Sequence, residues 1–342
     1  MHPKELTRQA LIVDSHADSI VNHVWSGGVS LVDSTTPREC LRRGVQALLR
    51  RCGSAGPNHF PLQLNLQRMM SVGMDVVFIA IDVSPAQSAR LAYALDGFGA
   101  LLADLEESGQ AVRFVRGTDD IDAARQASMP AILMAIEHAG ALMGSLNLLW
   151  SLHAFGVRSI GLTHNISSEA ADGVAEARDG VGLTQFGVRL VQEMNRLGML
   201  VDLAHVSEGG FYHTLEISAR PVIFSHGNAR AQCDHPRNLS DDQLRALREN
   251  GGVIGLSLVP MFIDPTQPTL KRFLDHVDHV VKVAGIETVG LGSDFDGGGT
   301  LLEGVEDYWR ITEGLQARGY GEPEIRQILG ENTRRVLQAA IG

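Results

Sequence analysis

LIVDSHAD, at residues 11–18, has the pattern of the first strand of a parallel sheet. Its apolar start is continuous rather than alternating, which is typical of strands that are covered on both faces. Seven further runs of this kind follow along the chain, at 75–83, 131–140, 157–165, 199–205, 221–228, 252–260 and 288–297. Between them lie segments such as 89–109 and 183–198, in which apolar residues recur with helical spacing before a glycine.

Eight buried strands that alternate with helices over 342 residues predict an α/β fold of the (β/α)8 TIM-barrel type, as a single domain over 1–342. A doubly wound sheet is a poorer match, because its first strand is usually followed by a glycine-rich phosphate turn and this strand ends in DSHAD. Residues 26–60 are rich in Gly, Ser and Pro, and we interpret them as a long first βα excursion near the active face.

Composition excludes several classes of function. The net charge of −11 and the lack of a Lys/Arg cluster argue against nucleic acid or an anionic membrane as a partner. No run of 18 apolar residues occurs, and the start of the chain lacks the features of a signal peptide, so we expect a cytoplasmic protein without a membrane span. Cys40, Cys52 and Cys233 are too few and too scattered for a disulfide framework, and we expect reduced, non-catalytic thiols.

Polar residues with metal-binding or acid–base chemistry stand where the predicted strands end: His16, Asp18, Glu137, His164, His205, His226 and Asp294. The carboxyl ends of barrel strands meet at one mouth, so these side chains are expected to converge. His16 and Asp18 lie two apart on a strand and therefore face the same side, where they can bind one ion. His205 and His226 would bind a second ion, and Glu137 would bridge two divalent ions, expected to be zinc, about 3.5–4 Å apart.

Each of these residues alone also has a purely structural interpretation. A single histidine at a strand end is more often hydrogen-bonded within the fold than bound to metal. Other polar residues are predicted to be structural from the start. Asp14, Asp202 and Asp296 would cap helices or shape turns, His276 and His279 would form a solvated or interhelical pair, and His138 would point away from Glu137.

Longer motifs resemble one known family over nearly the whole chain. They are VDSHAD near the start, IEHAGAL around Glu137, GLTHN at 161–165, NRLGMLVDLAHVSE at 195–208, PVIFSHGNARA at 221–231, DHPRNLSD at 234–241, VGLGSDFDG at 289–297 and ILGENTRRVL at 328–337. With these motifs the sequence resembles the membrane dipeptidase (renal dipeptidase) family of the amidohydrolase superfamily. The resemblance implies the same barrel, the same five ligands for two zinc ions and a possible homodimer.

The resemblance also implies an activity and roles for three further residues. The expected reaction is hydrolysis of dipeptides with a free C-terminal carboxylate, including those with a D-residue at that position. His164 would contact the substrate carbonyl and the developing oxyanion, Arg237 would hold the substrate carboxylate, and Asp294 would transfer protons.

The sequence departs from the usual family pattern in the residues that would line the pocket. Ser15 and Ala17 replace the usual Gly and Asn, and His138 and Gly227 replace Gly and Ser. In the altered segment 165–173, GLTHN continues as ISSEAADG in place of the usual polar, aromatic-containing stretch. Two alternatives therefore stay open. The same metal centre could act on another amide or ester, such as a β-lactam, a lactone or an N-acyl amino acid, or the chain could be a catalytically silent binding protein or scaffold.

Overall fold

All eight runs that were predicted to be strands form strands in the computed structural model, which describes residues 1–20, 31–32 and 62–342. The strand bounds are β1 Val13–Ala17, β2 Val76–Ile81, β3 Arg113–Phe114, β4 Ala131–Ile136, β5 Val157–Gly161, β6 Leu200–Asp202, β7 Ile223–Gly227, β8 Val253–Leu256 and β9 Val289–Leu291. The eight predicted strands pair in parallel in the order β2-β1-β9-β8-β7-β6-β5-β4, and β2 also pairs with β4, which closes an eight-stranded barrel. The two-residue strand β3 was not predicted, and it pairs with the start of β4.

Helices connect successive strands, so the predicted (β/α)8 TIM barrel is confirmed. The α-helices among the described residues are α1 Pro3–Gln9, α2 Leu66–Val72, α3 Arg90–Ser108, α4 Thr118–Gln126, α5 Leu146–Phe155, α6 Gln185–Leu197, α7 Glu208–Ile217, α8 Asp241–Asn250, α9 Pro260–Ile263, α10 Leu270–Ala284, α11 Tyr308–Ala317, α12 Glu322–Arg326 and α13 Asn332–Ile341. The predicted helices at 89–109 and 183–198 correspond to α3 and α6. No helix in these ranges is long and apolar enough to span a bilayer.

The barrel interior is filled by alternate residues of its strands. Side chains of β2 and β4 pack there with Val336, Leu337 and Ala340 of α13, the C-terminal helix. The inward set includes Val76, Phe78, Ala80, Ala131, Leu133 and Ala135. The opposite faces of the same strands, represented by Ile79 and Ile136, pack against the surrounding helices. Because successive strand residues alternate in direction, this pattern determines which residues beyond the strand ends point into the barrel mouth.

Several residues predicted to be structural have structural contacts. Asp14 accepts hydrogen bonds from the Ser293 amide and the Tyr308 hydroxyl, and Asp202 accepts them from the amides of Ala204 and Ser225. These bonds tie neighbouring barrel strands together near their carboxyl ends.

The histidines of α10 behave differently from each other. His279 pairs with Asp241 of α8 at 2.7 Å, an interhelical contact as predicted. His276 is not solvated, because it is 1% exposed and hydrogen-bonded to the amide of Ala229 and the carbonyl of Ile263. Of the cysteines, Cys233 is a buried free thiol, and Cys40 and Cys52 lie outside the described residues, as does the 26–60 excursion except for 31–32.

Candidate metal centre

The five predicted metal ligands converge at the carboxyl ends of four barrel strands. His16 and Asp18 come from β1, Glu137 follows β4, His205 follows β6 and His226 belongs to β7. Glu137 lies at the centre, since its Oε1 atom is 2.8 Å from His205 Nε2, 3.3 Å from His226 Nε2 and 3.7 Å from His16 Nε2. The Nε2 atom of His16 is in turn 3.6 Å from an Asp18 carboxylate oxygen. One oxygen of Glu137 thus lies close to a nitrogen of each of the three histidines.

Irregular backbone in β1 and β7 sets the direction of two of these side chains. The pairing register of β1 shifts between Asp14 and Ala17, and that of β7 shifts between Phe224 and Gly227. His16 and His226 lie within these two irregularities. Such bulges re-aim side chains and are frequent beside active sites. His205 is directed by its left-handed backbone, with φ of 68°.

Hydrogen bonds at the Nδ1 atoms of His205 and His226 leave their Nε2 atoms available to bind a cation. The Nδ1 atom of His205 lies 2.8 Å from the Asn165 side-chain oxygen, which can only accept, so Nδ1 carries the proton and Nε2 is left with a lone pair. His226 is held by the Ser225 hydroxyl at 2.9 Å from its Nδ1. The two Nε2 atoms face each other at 2.9 Å. Burial lowers the pKa of both histidines well below the usual range, which favours the neutral form that binds zinc.

The surroundings of His16 and Asp18 also favour a bound cation. Among the described residues, neither His16 Nε2 nor Asp18 Oδ1 has a hydrogen-bond partner, although both atoms are buried. Burial acts to lower the pKa of His16, but the carboxylates of Glu137 and Asp18 outweigh it and raise the pKa to about 10. The surroundings therefore favour a cation at this nitrogen.

The buried carboxylates also fit a metal-binding role. Burial raises the pKa of Glu137 well above its ordinary value, and the neighbouring charge of Asp18 adds to this effect. Divalent ions beside the carboxylate would reverse it, because they stabilise the ionised form. Imidazole and carboxylate are the donors that zinc accepts. The donor set thus fits a divalent metal, and the residues that could hold it include His16, Asp18, Glu137, His205 and His226.

A cavity of about 390 Å³ opens over these ligands. Arg237 lines it and is only 4% exposed. One of its terminal nitrogens donates to the carbonyl of His226 at 3.2 Å, whereas Nε and the other terminal nitrogen have no hydrogen-bond partner among the described residues. The guanidinium lies near the ring of Phe262, with 5.4 Å to its centroid. A buried guanidinium with unused donor groups is suited to a carboxylate ligand.

His164 and Asp294 line the same cavity. The His164 ring stacks on His205 at 4.2 Å between centroids, and burial lowers its pKa. One carboxylate oxygen of Asp294 lies within 4.8 Å of ligand atoms of His16 and Asp18. Burial raises the pKa of Asp294 to about 7, although the charge of His16 opposes this shift. Seven of the eight predicted site residues thus line one cavity, and the eighth, His16, lies next to Asp18 and Glu137.

Two polar residues of the cavity lining were missed in the analysis of the sequence. Asn165 directly follows His164, and no pattern distinguishes an amide that orients a histidine from any other loop asparagine. Asp82 was detectable, because it immediately follows the β2 run, the position that selected Glu137 after β4. Alternation from Phe78 and Ala80 directs it inward. Asp296 lines the rim, but its carboxylate accepts hydrogen bonds from the Gln63 amide and the Ser19 hydroxyl, which agrees with its predicted structural role.

Comparison with known proteins gives a consistent assignment. The model of a family described as membrane dipeptidase, peptidase family M19, matches residues 2–341. The chain belongs to the membrane dipeptidase family. The resemblance inferred from the motifs is therefore confirmed.

Several relatives of this membrane dipeptidase family member carry the names of enzymes. Dipeptidase tcpJ of Claviceps purpurea is 38% identical over 226 residues, which cover 64% of this chain and 53% of that protein. Dipeptidase verJ of Clonostachys rogersoniana is 36% identical over 213 residues, covering 61% and 55%. The chain thus matches about half the length of these curated relatives. A metallo peptidase from Rhodobacter sphaeroides, liganded with a phosphinate mimic of the dipeptide L-Ala-D-Ala, has a TM-score of 0.80 and 25% identity, covering 97% of this chain and 99% of that chain.

Proposed function

We propose that this chain is a metal-dependent dipeptidase, which uses two divalent ions to hydrolyse dipeptides with a free C-terminal carboxylate. The observation that carries the proposal is that Glu137 lies beside three histidines and lines one cavity together with the buried Arg237. Membership of the membrane dipeptidase family supports the same reaction. Zinc is the expected ion, although sites of nitrogen and oxygen ligands also accept manganese, cobalt or iron.

The residues around the cavity have distinct roles in the proposed reaction. Divalent ions bound by the five ligands would polarise the scissile carbonyl and increase the acidity of a nearby water. Asp294 has its carboxylate beside His16 and Asp18, where it can accept a proton from the attacking water and return it to the departing amine. His164 donates a hydrogen bond to the carbonyl oxygen as negative charge develops there.

Arg237 sets the length of the substrate. Arg237 has unused donor groups and lines the same cavity as Glu137, so a substrate carboxylate bound to Arg237 would place the adjacent amide near Glu137. None of these contacts depends on the handedness of the C-terminal side chain, and we therefore include L,D-dipeptides in the proposal. The phosphinate mimic of L-Ala-D-Ala on the Rhodobacter sphaeroides peptidase supports this extension.

The test is hydrolysis of a dipeptide library by protein loaded with zinc, with chelated protein as control. Metal analysis of the same samples is expected to give two ions per chain, and Glu137→Gln is expected to lose both metal and activity. Activity confined to β-lactams, lactones or N-acyl amino acids would replace the substrate class. Two bound ions without hydrolysis of any amide or ester would indicate a binding protein instead.

A further inference from the structure

Asp82 is a carboxylate of the cavity that the proposed reaction does not use. It follows β2, its side chain is 17% exposed, and it lines the cavity together with His164 and Arg237. The other carboxylates of the cavity have assignments, since Asp18 and Glu137 are ligands, Asp294 transfers protons and Asp296 is hydrogen-bonded to Ser19 and the Gln63 amide. Among the described residues, no Lys or Arg lies within ion-pair distance of Asp82.

The orientation of Asp82 is fixed by a residue of the same loop. The Ser84 amide donates to Oδ1 at 2.7 Å, and the Ser84 hydroxyl donates to Oδ2 at 2.8 Å. A carboxylate accepts about four hydrogen bonds, so each oxygen keeps an unused lone pair. Asp82 is therefore held in place and can still accept from a ligand in the cavity.

The distance from His164 identifies which part of a substrate Asp82 can reach. Asp82 Oδ2 lies 3.9 Å from His164 Nε2. A carbonyl oxygen that accepts from His164 would lie about 2.9 Å from that nitrogen. In an aminoacyl group, standard bond lengths place the α-nitrogen about 3 Å from the carbonyl oxygen. An ammonium group at that position can lie within hydrogen-bond distance of Asp82, on the opposite side of the scissile carbonyl from the C-terminal carboxylate.

We propose that Asp82 binds the free α-ammonium group of the substrate. The inference rests on the proposed dipeptidase function and extends it, because the cavity then recognises both charged ends of the substrate. Arg237 binds the carboxylate and Asp82 the ammonium group, with the metal ligands between them. This arrangement selects free dipeptides over N-acylated amino acids and over longer peptides.

The test compares two substrates that differ only in the amino group, Ala-Ala and N-propionyl-alanine. Both the hydrolysis rate and the constant for competitive inhibition are measured, so the second compound gives a result even where it is not hydrolysed. In the wild type, KM for Ala-Ala is expected to be lower than the inhibition constant of N-propionyl-alanine by about tenfold or more, because the ammonium group adds a charge-assisted hydrogen bond. Asp82→Asn should raise KM for Ala-Ala by a similar factor and change binding of N-propionyl-alanine less than about twofold. Ser84→Ala should also reduce the preference for Ala-Ala over N-propionyl-alanine, but by a smaller factor than Asp82→Asn.

Asp234→Asn is the matched control, since it removes one negative charge from the neighbouring cavity lined by Arg230 and Glu208. Asp234→Asn should leave the preference for Ala-Ala over N-propionyl-alanine unchanged. Metal content and thermal midpoint show whether each variant keeps its fold. If Asp82→Asn does not fold, Ser84→Ala decides the test. Equal losses on both compounds, which a role in positioning His164 would cause, or no loss on either, would overturn the assignment to Asp82. A wild type without any dipeptidase activity would instead refute the proposed function.

Discussion

At the scale of single residues, the site depends on backbone conformations that its residue types rarely adopt. His205 and Asp294 have φ of 68° and 60°, in the left-handed region. Such a conformation costs a non-glycine residue about 1–3 kcal/mol and persists where surrounding contacts impose it. The contacts are present at Asp294, whose amide donates to the carbonyl of His16 and whose carbonyl accepts from the amides of Gly298 and Gly299. The fold thus maintains strained backbone at the proposed metal ligand His205 and at Asp294, which lies beside His16 and Asp18.

Arg237 provides a prediction at this scale. Arg237→Lys retains a charge but loses the planar pair of donors, so kcat/KM for free dipeptides should fall by about tenfold or more. Bound metal should be unchanged, because Arg237 is not a ligand. The measurement is kcat/KM on dipeptides and on their C-terminal amides. Arg230→Lys is the matched control, since its Nε donates to the carbonyl of Asn238 beside the adjoining cavity. Equal wild-type activity on acids and amides would exclude the role of Arg237.

The sequence predicted most site residues because they directly follow apolar strands. This rule located Glu137, His205 and Asp294 without any structure, and would also have located Asp82. It could not locate Arg237, which lies in the loop after β7 and was indicated only by the resemblance. It also could not predict that Asn165 orients His205, since that contact depends on a loop conformation rather than on a repeating pattern.

At the scale of elements, helix boundaries were predictable because local chemistry determines them. Helix α6 begins after Thr184, whose hydroxyl accepts from the Gly187 amide at 3.0 Å, and ends at Gly198, with φ of 70°. Strand ends were harder to predict. The run at 199–205 yields only Leu200–Asp202 as a strand, because the chain turns at Ala204 and His205 towards the cavity. Apolar character continues through that turn, so composition alone does not show where pairing stops.

The cap of α6 gives a stability prediction. Thr184→Ala removes the acceptor for Gly187 and the donor to the carbonyl of Glu169, and should lower the free energy of unfolding by about 1–2 kcal/mol. Thr184→Ser keeps both bonds and should stay close to the wild type. Denaturant unfolding of the three proteins measures the difference. A loss in Thr184→Ser as large as in Thr184→Ala would show that the methyl group, not the cap, is responsible.

The connection from α9 to α10 should make stability depend on acid pH. Asp264 accepts hydrogen bonds from the amides of Gln267 and Thr266, which lower its pKa to about 2 from the ordinary 3.8. A carboxyl group with a lowered folded-state pKa stabilises the protein above pH 3.8, and this contribution is lost as the pH falls towards about 2. Asp264→Ala should therefore be less stable than the wild type at neutral pH, and the difference should shrink below about pH 4.

Urea unfolding over this pH range tests the prediction for Asp264. Asp179→Ala, in an exposed loop, is the control and should show no pH-dependent difference from the wild type. A constant difference between Asp264→Ala and the wild type at every pH would mean that the side chain contributes by packing rather than as a carboxylate.

At the scale of the whole molecule, barrel closure unites residues that are distant in the chain. Pairing of β1 with β9 and of β2 with β4 brings His16 beside Asp294 and Glu137. The alternation of strands and helices predicted this closure. The register irregularities that aim His16 and His226 were not predictable, because they arise from pairing with neighbouring strands. The single domain over 1–342, the cytoplasmic location and the homodimer stay predictions.

Metal removal should weaken the whole barrel, since the ligands come from four strands. An ion that binds only the folded chain stabilises it by about 2.7 kcal/mol when its free concentration is a hundred times its Kd. Without ions, the carboxylates of Glu137 and Asp18 lack a positive counter-charge, and the Nε2 atoms of His205 and His226 face each other at 2.9 Å without a cation. Chelation should therefore lower the thermal midpoint, and added zinc should restore it. Glu137→Gln, which lacks the bridging carboxylate, should respond much less to zinc. A wild-type midpoint that is unchanged after the ions have demonstrably been removed would contradict a metal centre that holds these strands together.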